Sequence, residues 1–483
     1  MKAAFASCAV VALAAHAQAA VLAVPGVFPT IQAAENAAVP GDVIQVAPGV
    51  YAPFVVDVDD LTIEGMGPGV IVDGLGAMRC AAVDATGMTI MNIAFANGNA
   101  GSGFDGGCLY IADLGEVSVV NSSFTNCRAP FGVGGGVYVG VDSTLVAMGS
   151  HFQSCSAEWG GAIGNLGDIE LVSAIMVSKC DFFDNIAEQS GGAIDAFMAN
   201  VELTDSCFYR NKTQPRGFGS GGAISNAFST IAAQNCVFWN NTAVFGGAAW
   251  FTIDGSNYVC FSTFCDNLAK SGGAFDQDAS PSIGSDPYAN SNIGNSIFVN
   301  SRMVNNQPAS TTIDVSFTFY DRAFDPGVAD VEANLGLADL PPGVTDVKAH
   351  LFVDPALGDF HLRYECVEET PGVPCVPDYA IVIDAGSCEI CADVEADKDG
   401  NCRAVDVIDN TATGDVDEGV PNNGLACALR NCTFEAPDMG AFEYQQLPVP
   451  PIVVPCEGDV NGDGQRNVAD FIILLQHFGT PCP

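Results

Sequence analysis

Short apolar runs alternate with corners rich in Gly and Asn through the middle of the chain, as in "EVSVVNSSF" and "VELTDSCF". The runs are rich in Val, Ile, Phe and Thr and are too short for helices, so they predict β-strands. Pairs of glycines recur every 25 to 31 residues, beginning at Gly106, Gly135, Gly160, Gly191, Gly221, Gly246 and Gly272. A repeat of this length that holds two or three strands predicts one coil of a parallel β-helix.

Each coil carries a Phe followed three positions later by a polar corner residue. The residue pairs are Phe182/Asn185, Phe208/Asn211, Phe238/Asn241 and Phe264/Asn267, with Cys in the Asn position at Phe124/Cys127 and Phe152/Cys155. We expect the Phe rings to point inward and to stack from coil to coil at ~4.8 Å. Asn at a corner tolerates left-handed backbone and can hydrogen-bond its neighbours along the stack, and the paired glycines permit a sharp bend and close backbone approach. Packing alone accounts for all three markers.

The start of the repeat region predicts a different element. The segment "FPTIQAAENAAVPGDVIQVAPGVY" indicates an amphipathic helix from Thr30 to Ala38, a turn at Pro40-Gly41 and then a strand. A helix at this place would cover the open end of the stack, where unpaired backbone groups invite aggregation. The sequence therefore predicts an N-terminal capping helix.

Charge excludes several classes of partner. The 483-residue chain has a net charge of -41 and only 16 Lys and Arg residues, which argues against nucleic acid and anionic membranes. Cations, neutral glycans and basic proteins remain possible partners. Hydrophobic content of 48% indicates a globular chain, and no segment after the N-terminus is apolar for long enough to predict a transmembrane span.

The N-terminus "MKAAFASCAVVALAAHAQAA" has a basic start, an apolar run and a small-residue cleavage site. This pattern predicts a signal peptide over residues 1–19 and a secreted, extracellular or cell-surface protein. Without Cys8 the chain has 18 cysteines, and in an oxidising compartment these predict disulfides. A zinc site is the alternative for the closely spaced set Cys388, Cys391, Cys427 and Cys432.

The segments "TIQAA", "PGDVIQVAPGVY" and "LTIEG" resemble the opening of secreted right-handed β-helix proteins of the pectate-lyase-like superfamily. The Phe, Asn and Gly-Gly-Ala-Ile markers resemble the repeats of polymorphic outer-membrane proteins and bacterial adhesins. "LFVDPALGDFHL" and "DMGAFEY" resemble the closing segment of such proteins. The resemblance implies an all-β, right-handed parallel β-helix over 20–350 and a Cys- and Asp-rich closing region over 351–444.

Enzymes of this superfamily act on acidic polysaccharides. Its lyases use calcium on clustered acids and a basic residue, and its hydrolases use paired carboxylates. The sequence shows no Lys or Arg spaced to face an Asp cluster, and we expect His151, the only histidine of the coils, to be a surface or turn residue. No catalytic residue is predicted.

A carbohydrate groove is the candidate site within the coils. Asp195 and Asp276 follow glycine markers and would share one side of the stack. Trp159 and Trp250 would offer faces on which sugar rings stack. Core packing is the alternative for each Trp. The sequence thus predicts Trp159, Trp250, Asp195 and Asp276 as ligand-binding residues.

The C-terminal segment predicts a calcium site. A Pro-rich linker, "QQLPVPPIVVP" over 445–455, precedes the module over 456–483. Its twelve-residue stretch from Asp459 to Asp470 matches a calcium loop, with Gly464 at the sharp turn and a helix over Phe471 to Phe478. The predicted ligands are Asp459, Asn461, Asp463, Gln465, Asn467 and Asp470.

This module resembles a type I dockerin, which implies a cohesin-like scaffold or a cell-envelope component as partner. Dockerins carry two loops where one is evident here, and Val468 and Ala469 stand where dockerins display a polar partner-reading pair. Cys456 and Cys482 bracket the module and can form a disulfide that replaces the missing half.

Three functions remain open on this sequence. The favoured one is a non-catalytic secreted or cell-surface protein, adhesin-like or carbohydrate-associated, attached through its calcium-dependent tail. The second is a polysaccharide lyase or glycoside hydrolase delivered by the same tail. The third is a purely structural envelope protein.

Overall fold

The computed structural model describes residues 19–379, with short gaps at 169–170, 215–218, 271–272, 279–289, 309, 317, 333, 341–343, 357–358, 363 and 368–375. All described residues belong to one compact unit. Within them, no helix is long and apolar enough to cross a membrane. The predicted linker and calcium module lie outside the described residues.

Four sheets of parallel strands build the fold, and two of them run through nearly all coils. The 13-stranded sheet A comprises Val21–Val24, Val43–Val46, Thr62–Gly65, Met88–Met91, Glu116–Val120, Thr144–Met148, Ser173–Ser178, Ala199–Thr204, Thr230–Gln234, Ser256–Cys260, Asn290–Gly294, Thr312–Ser316 and Val328–Glu332. The 12-stranded sheet B comprises Gly49–Tyr51, Val70–Asp73, Ala94–Ala96, Ser123–Thr125, His151–Gln153, Asp181–Phe183, Cys207–Tyr209, Val237–Trp239, Thr263–Cys265, Ile297–Val299, Phe319–Tyr320 and Leu335–Gly336.

The other two sheets form the remaining sides of each coil. The 10-stranded sheet C comprises Phe54–Val56, Ala81–Val83, Leu109–Ile111, Val137–Val139, Ile163–Asn165, Ile194–Phe197, Ile224–Ala227, Trp250–Ile253, Phe275–Asp278 and Met303–Asn305. The 6-stranded sheet D comprises Arg128–Val133, Ser156–Trp159, Ile186–Ser190, Lys212–Thr213, Thr242–Ala243 and Leu268–Ala269.

One coil visits the sheets in the order A, B, D, C. The chain passes from Glu116–Val120 through Ser123–Thr125, Arg128–Val133 and Val137–Val139, and returns to sheet A at Thr144–Met148. Each strand hydrogen-bonds in parallel to its counterpart in the next coil, so the predicted parallel β-helix is confirmed. The parallel strand pairing begins at Val21 and ends at Gly336. The right-handed winding and the domain boundaries stay predictions.

Small elements complete the described chain. They are the helices Ile31–Glu35 and Val347–Leu351, the 3₁₀ helix Leu337–Asp339, and two antiparallel pairs, Phe352–Asp354 with Asp359–Leu362 and Tyr364–Val367 with Val376–Tyr379. The predicted N-terminal helix is present but shorter than expected, because Thr30 serves as its N-cap and it ends at Glu35. It buries Ile31 and Ala34, and its role as a cap stays a prediction.

The marker phenylalanines form one file in the core. The rings of Phe182 and Phe208 stack with centroids 4.7 Å apart, and those of Phe208 and Phe238 stack at 4.9 Å. All three side chains are fully buried. The file continues through Phe95, Phe124, Phe152, Phe264 and Phe298. The predicted inward stacking is confirmed, and it fixes the register of neighbouring coils.

The marker asparagines form a hydrogen-bonded ladder at the corner between sheets B and D. The Nδ2 of Asn185 donates to the Oδ1 of Asn211 at 3.0 Å, and Asn241 donates to Asn267 at 3.0 Å. The predicted hydrogen bonding along the stack is confirmed, but the ladder residues themselves do not use the left-handed backbone that Asn tolerates. The left-handed residue is the one before each ladder Asn, as at Asp184 with a φ of 56°. This leaves the Asn free to extend inward and bond along the stack.

The paired glycines meet two separate steric demands. Gly191 has a φ of 64°, in the left-handed region that favours glycine. A Cβ on Gly192 would overlap the carbonyl oxygen of Gly222 in the next coil. The predicted bend and close backbone approach are therefore both confirmed, each at a different glycine of the pair.

Only part of the disulfide prediction holds within the described residues. Cys108 and Cys127 form a disulfide, and Cys260 is also disulfide-bonded. Cys80, Cys155 and Cys265 carry buried free thiols, which corrects the expectation for these residues. Cys155 instead belongs to the asparagine ladder, where its N–H donates to the Oδ1 of Asn185, and its small apolar side chain fills the core. The predicted alternative zinc site lies outside the described residues.

Candidate ligand-binding groove

Two columns of side chains run along the outer face of sheet C. Strand alternation points the residue after the first core residue of each strand outward, so a column forms across four paired strands. Register pairs place its members in the order Asp195, Ser225, Phe251 and Asp276. A second outward column, two residues further along each strand, holds Phe197, Ala227, Ile253 and Asp278.

These columns form the floor of a groove with a volume of about 670 Å³. We call it the sheet C groove. Sheet D supplies one wall, because Trp159 and Ser190 lie at the ends of its strands Ser156–Trp159 and Ile186–Ser190. The residues that line it are Trp159, Gln189, Ser190, Asp195, Phe197, Ser220, Ser225, Ala227, Phe245, Gly246, Phe251, Ile253, Asp276, Asp278 and Asn306.

Two aromatic side chains are exposed at this groove. Trp159 is 36% exposed and Phe245 is 47% exposed. Phe251 lies half-buried between Ser225 and Asp276 in the floor column. Ring faces of this kind present apolar area next to polar acceptors, the combination that small-molecule sites use for packing and orientation.

Asp195 is held in place from inside the groove. The Ser190 hydroxyl donates to its Oδ1 at 2.7 Å. Burial raises the pKa of Asp195, while hydrogen bonds with Ser190 and Ser225 lower it. The carboxyl group is thus fixed in orientation but costly to ionise, so a ligand that offers it hydrogen bonds or a positive charge would be favoured.

Asp276 is fully buried, and its carboxyl group accepts two hydrogen bonds. The Gly273 N–H donates to its Oδ2 at 3.1 Å, and the Asn306 Nδ2 donates to its Oδ1 at 2.5 Å. Burial raises the pKa of Asp276 to about 6, and the charge of Asp278 contributes to the rise. Arg302 opposes it, although the guanidinium of Arg302 is itself held by Asp325 at 2.7 Å.

The structure brings together three of the four predicted ligand-binding residues. Trp159, Asp195 and Asp276 line the same groove. Binding by them stays a prediction. Trp250 is a correction, since it is fully buried, stacks at a tilt on Phe275 with centroids 5.7 Å apart and donates from Nε1 to Asn257 at 3.0 Å.

The misplacement of Trp250 has a cause in the backbone. In the coil of Asp195 the left-handed glycine is Gly191, the first of its pair, and it lies four residues before Asp195. The coils before and after this one show the same spacing of four residues between the left-handed glycine and the outward column. In the coil of Trp250 the left-handed residue is Gly247, the second of the pair. The column therefore falls on Phe251, and Trp250 takes the core position that Ile224 holds in the coil before.

The groove also contains functional candidates that the sequence did not single out. Phe245, Phe251 and Asn306 line it, but none of them follows a marker at the expected spacing. Phe251 is predicted as a member of the outward column if positions are counted from the left-handed glycine of each pair. Counting from the first glycine of the pair misses it. Phe245 and Asn306 lie between strands, where the repeat gives no register.

A second cavity, of about 610 Å³, lies elsewhere on the coils. His151 lines it, and its Nδ1 is 3.1 Å from Asp181 on the neighbouring strand of sheet B. The prediction that His151 is a surface residue agrees with its exposed imidazole. Among the described residues, no group of three or more His, Cys, Asp or Glu could hold a metal ion.

The predicted calcium ligands lie outside the described residues. They are Asp459, Asn461, Asp463, Gln465, Asn467 and Asp470. Their oxygen donors fit calcium by residue type and spacing, and the site stays a prediction.

Comparison with known proteins gives no family for the chain. No protein-family model matches it. A stretch of 163 residues is 30% identical to the metabotropic glutamate receptor-like protein R of Dictyostelium discoideum. This match covers 33% of the chain and 8% of that protein, so the chain spans less than a tenth of its relative's length.

Solved structures that resemble the chain include polysaccharide lyases and pectin methylesterases. Pectate lyase Pel9A has a TM-score of 0.39 and 12% identity, over 88% of this chain and 96% of that chain. A PL6 alginate lyase in complex with a trisaccharide has a TM-score of 0.36 and 10% identity, over 66% and 83%. Pectin methylesterase from carrot has a TM-score of 0.29 and 13% identity, over 67% and 85%. These likenesses carry no argument about activity, and the β-helix assignment rests on the chain's own strand pairing.

Proposed function

We propose that the chain is an exported, carbohydrate-associated β-helix protein that binds a saccharide chain in the sheet C groove without cleaving it. The observation that carries this proposal is the pairing of exposed rings, Trp159 and Phe245, with the ordered carboxyl group of Asp195 in one groove. Sugar rings have an apolar face that packs on aromatic rings and hydroxyl groups that donate to carboxylate oxygens.

The shape of the floor supports the same function. Asp195 and Asp276 lie three strand steps apart in one column, about 14 Å at ~4.8 Å per step. This column runs along the axis of the stack. A linear polymer laid along it would meet the polar groups of Asp195 and Ser225 and then the ring of Phe251.

Retention of the purified protein on immobilised polysaccharides tests the proposal. Trp159→Ala and Phe245→Ala should each weaken retention about tenfold, the loss expected for one stacking contact of about 1.4 kcal/mol. Phe104→Ala is the matched control, since Phe104 is 63% exposed and lies outside the groove lining. Equal retention of all three variants, or no retention of the wild type by any polysaccharide, would overturn the proposal.

We also propose that the C-terminal module binds calcium and attaches the protein to a cohesin-like scaffold or another cell-envelope component. The support is the loop of oxygen donors from Asp459 to Asp470 with a glycine at its turn. Calorimetric titration of the full chain with calcium should give one binding event that Asp459→Ala together with Asp463→Ala abolishes. Glu202→Gln, an exposed substitution on sheet A, is the control. Unchanged calcium binding in the double variant would refute the loop assignment.

A second candidate function, glycoside hydrolysis, is favoured by one observation. Asp276 is buried with its pKa raised to about 6, and Asp278 lies two residues further along the same strand. The two side chains alternate to the same face of the strand, and a pair of carboxyl groups with separated pKa values is what glycoside hydrolysis uses, one as the acid and one as the base. Asp276 would be the acid and Asp278 the base.

Product analysis separates the two functions. If the groove hydrolyses its saccharide, new reducing ends accumulate with wild type and are lost with Asp278→Asn, while binding persists. If it only binds, no product forms with either protein under conditions in which both retain the ligand. The first result would replace the binding proposal with the hydrolase.

A further inference from the structure

A column of polar side chains crosses three neighbouring coils on the outer face of sheet B. The marker phenylalanines of these strands point into the core, so the residue before each of them points outward. Those residues are Ser123, His151 and Asp181. Register pairs place Ser123 beside His151 and His151 beside Asp181, each one strand step of ~4.8 Å from the next.

Asp181 orients the imidazole of His151. The Nδ1 of His151 lies 3.1 Å from the Oδ2 of Asp181. Because Nδ1 is turned toward Asp181, the opposite edge of the ring, which carries Nε2, is turned toward the side on which Ser123 lies. The column thus orders a hydroxyl group, an imidazole and a carboxylate, which are the nucleophile, the base and the orienting group of a Ser-His-Asp triad.

Ser123 and His151 face a common cavity. Both line the second cavity, of about 610 Å³, which is described above. The side chain of His151 is 56% exposed and Ser123 is half-buried, so both are accessible to a solute. A substrate in this cavity can therefore contact the nucleophile and the base at the same time.

Asn121 places an amide group at the same cavity. It lies two residues before Ser123, it is exposed and it is part of the cavity lining. A Cβ on Gly149 would overlap the Oδ1 of Asn121, which shows that this carboxamide extends over the coil that carries His151. A side-chain N–H in this position can donate to the oxyanion that forms when a hydroxyl group attacks a carbonyl carbon.

We propose that Ser123, His151 and Asp181 form an esterase site for small acyl esters of polar alcohols, the substrates that suit an open cavity lined largely by Gly, Asn and Ser. The Oγ of Ser123 attacks the acyl carbon while the Nε2 of His151 takes its proton, and Asn121 donates to the oxyanion. The alcohol leaves with that proton. Water then hydrolyses the acyl-serine by the same route, which releases the carboxylic acid and restores Ser123. This site is separate from the sheet C groove and does not rest on the proposed saccharide binding.

Hydrolysis of p-nitrophenyl acetate by the full chain tests the inference. Wild type should release nitrophenol faster than buffer does, and Ser123→Ala and His151→Ala should each lower kcat/KM at least about a hundredfold. Asn121→Ala should lower it about a hundredfold as well, the usual loss for one oxyanion donor. Thr125→Ala and Gln153→Ala are the matched controls, because they change the other outward residue of the same two strands, and they should keep the wild-type rate.

Asp181 is a positioning residue, since it contacts the imidazole and not the substrate. Asp181→Asn should lower kcat at least about tenfold with KM unchanged, and Asp181→Glu, which keeps a carboxylate, should recover part of the rate. A raised KM with an unchanged kcat in Asp181→Asn would contradict this role.

A fluorophosphonate probe tests the nucleophile directly. Peptide mass spectrometry should find the probe on Ser123, and the labelling should be lost in His151→Ala and kept in Thr125→Ala. Absence of label from Ser123, hydrolysis no faster than in buffer, or full activity of Ser123→Ala or His151→Ala would overturn the inference and leave saccharide binding by the sheet C groove standing. Circular dichroism of each variant must match that of the wild type, so that lost activity is not lost folding.

Discussion

The Nδ2 of Asn211 donates a hydrogen bond to the Oδ1 of Asn241 in the next coil, 3.1 Å away, and both side chains are fully buried. The Oδ1 of Asn211 in turn accepts from the backbone N–H and from the Nδ2 of Asn185, at 3.1 and 3.0 Å. Each asparagine thus joins the coil before it to the coil after it. A buried amide in this position has no access to water if its neighbour is removed.

Replacing one member of this ladder should therefore destabilise the fold strongly. Asn211→Ala leaves two buried donors of Asn185 without their acceptor, and we expect the free energy of unfolding to fall by about 2–4 kcal/mol. Urea unfolding monitored by circular dichroism measures the loss. Lys212→Ala, at the exposed next position, should cost less than about 0.5 kcal/mol. Similar losses for both variants would contradict a structural role for the ladder.

The two tryptophans that the sequence assigns to the groove should behave differently. Trp250→Ala removes a fully buried indole and its hydrogen bond to Asn257, so we expect a loss of about 3–5 kcal/mol in stability. Trp159→Ala removes a partly exposed ring and should have a much smaller effect on stability. Thermal unfolding of the two variants compares them directly. If Trp159→Ala were the more damaging, the assignment of core and groove positions would be wrong.

The buried carboxyl group of Asp276 should make stability depend on pH in a defined window. Its pKa rises from 3.8 to about 6, chiefly through burial and also through the charge of Asp278, while Arg302 and the hydrogen bonds from Gly273 and Asn306 oppose the rise. The folded chain then binds this proton more tightly than the unfolded chain does. The stabilising contribution is complete below about pH 3.8 and is lost as the pH rises through about 6.

Asp276→Asn removes that dependence. Between about pH 4 and pH 7, the free energy of unfolding of the variant relative to wild type should shift in its favour by on the order of 2–3 kcal/mol. Urea denaturation across this range measures the difference, with Glu202→Gln as a control that should follow wild type. Parallel profiles for wild type and Asp276→Asn would show that the group titrates alike in both states.

The free thiols of the core should resist modification while the protein is folded. Burial raises the pKa of Cys155 and of Cys80 to about 12, and it raises that of Cys265 as well. Iodoacetamide reacts with thiolates, so these three residues should stay unmodified in the native protein and react fully in denaturant without reductant. Peptide mass spectrometry reads each site. Failure to react in denaturant would indicate disulfides and contradict the free thiols.

The repeat region was predictable because its strongest signals are local. The Phe file and the Asn ladder follow from residues that recur at a fixed distance from each other within each coil, as in Phe208 and Asn211. Stacking like on like then determines the register without any knowledge of distant contacts. The left-handed position at the corner could not be located from the sequence, because it falls on Arg210 rather than on Asn211, and a bulky residue gives no sign of that conformation.

The groove was only partly predictable, since its walls depend on how strand lengths change between coils. The strands of sheet D shorten along the stack, from six residues in Arg128–Val133 and five in Ile186–Ser190 to two in Lys212–Thr213. This shortening occurs in segments that carry none of the repeated markers, and Phe245 also lies in such a segment, between two strands. The repeat therefore does not predict either feature. Trp250 was misplaced by a shift of one position in the glycine pair, which periodicity alone does not reveal.

The column from Asp195 to Asp276 gives the groove a length that is counted in whole coils. Duplicating or deleting one repeat between these residues would move their carboxyl groups apart or together by ~4.8 Å while every remaining coil kept its neighbours' packing. A lineage built on this scaffold would thus change the reach of its recognition surface in discrete increments, through gene-level gain or loss of repeats rather than through redesign of a pocket. The number of coils between these two residues therefore sets the length of ligand that the groove can contact.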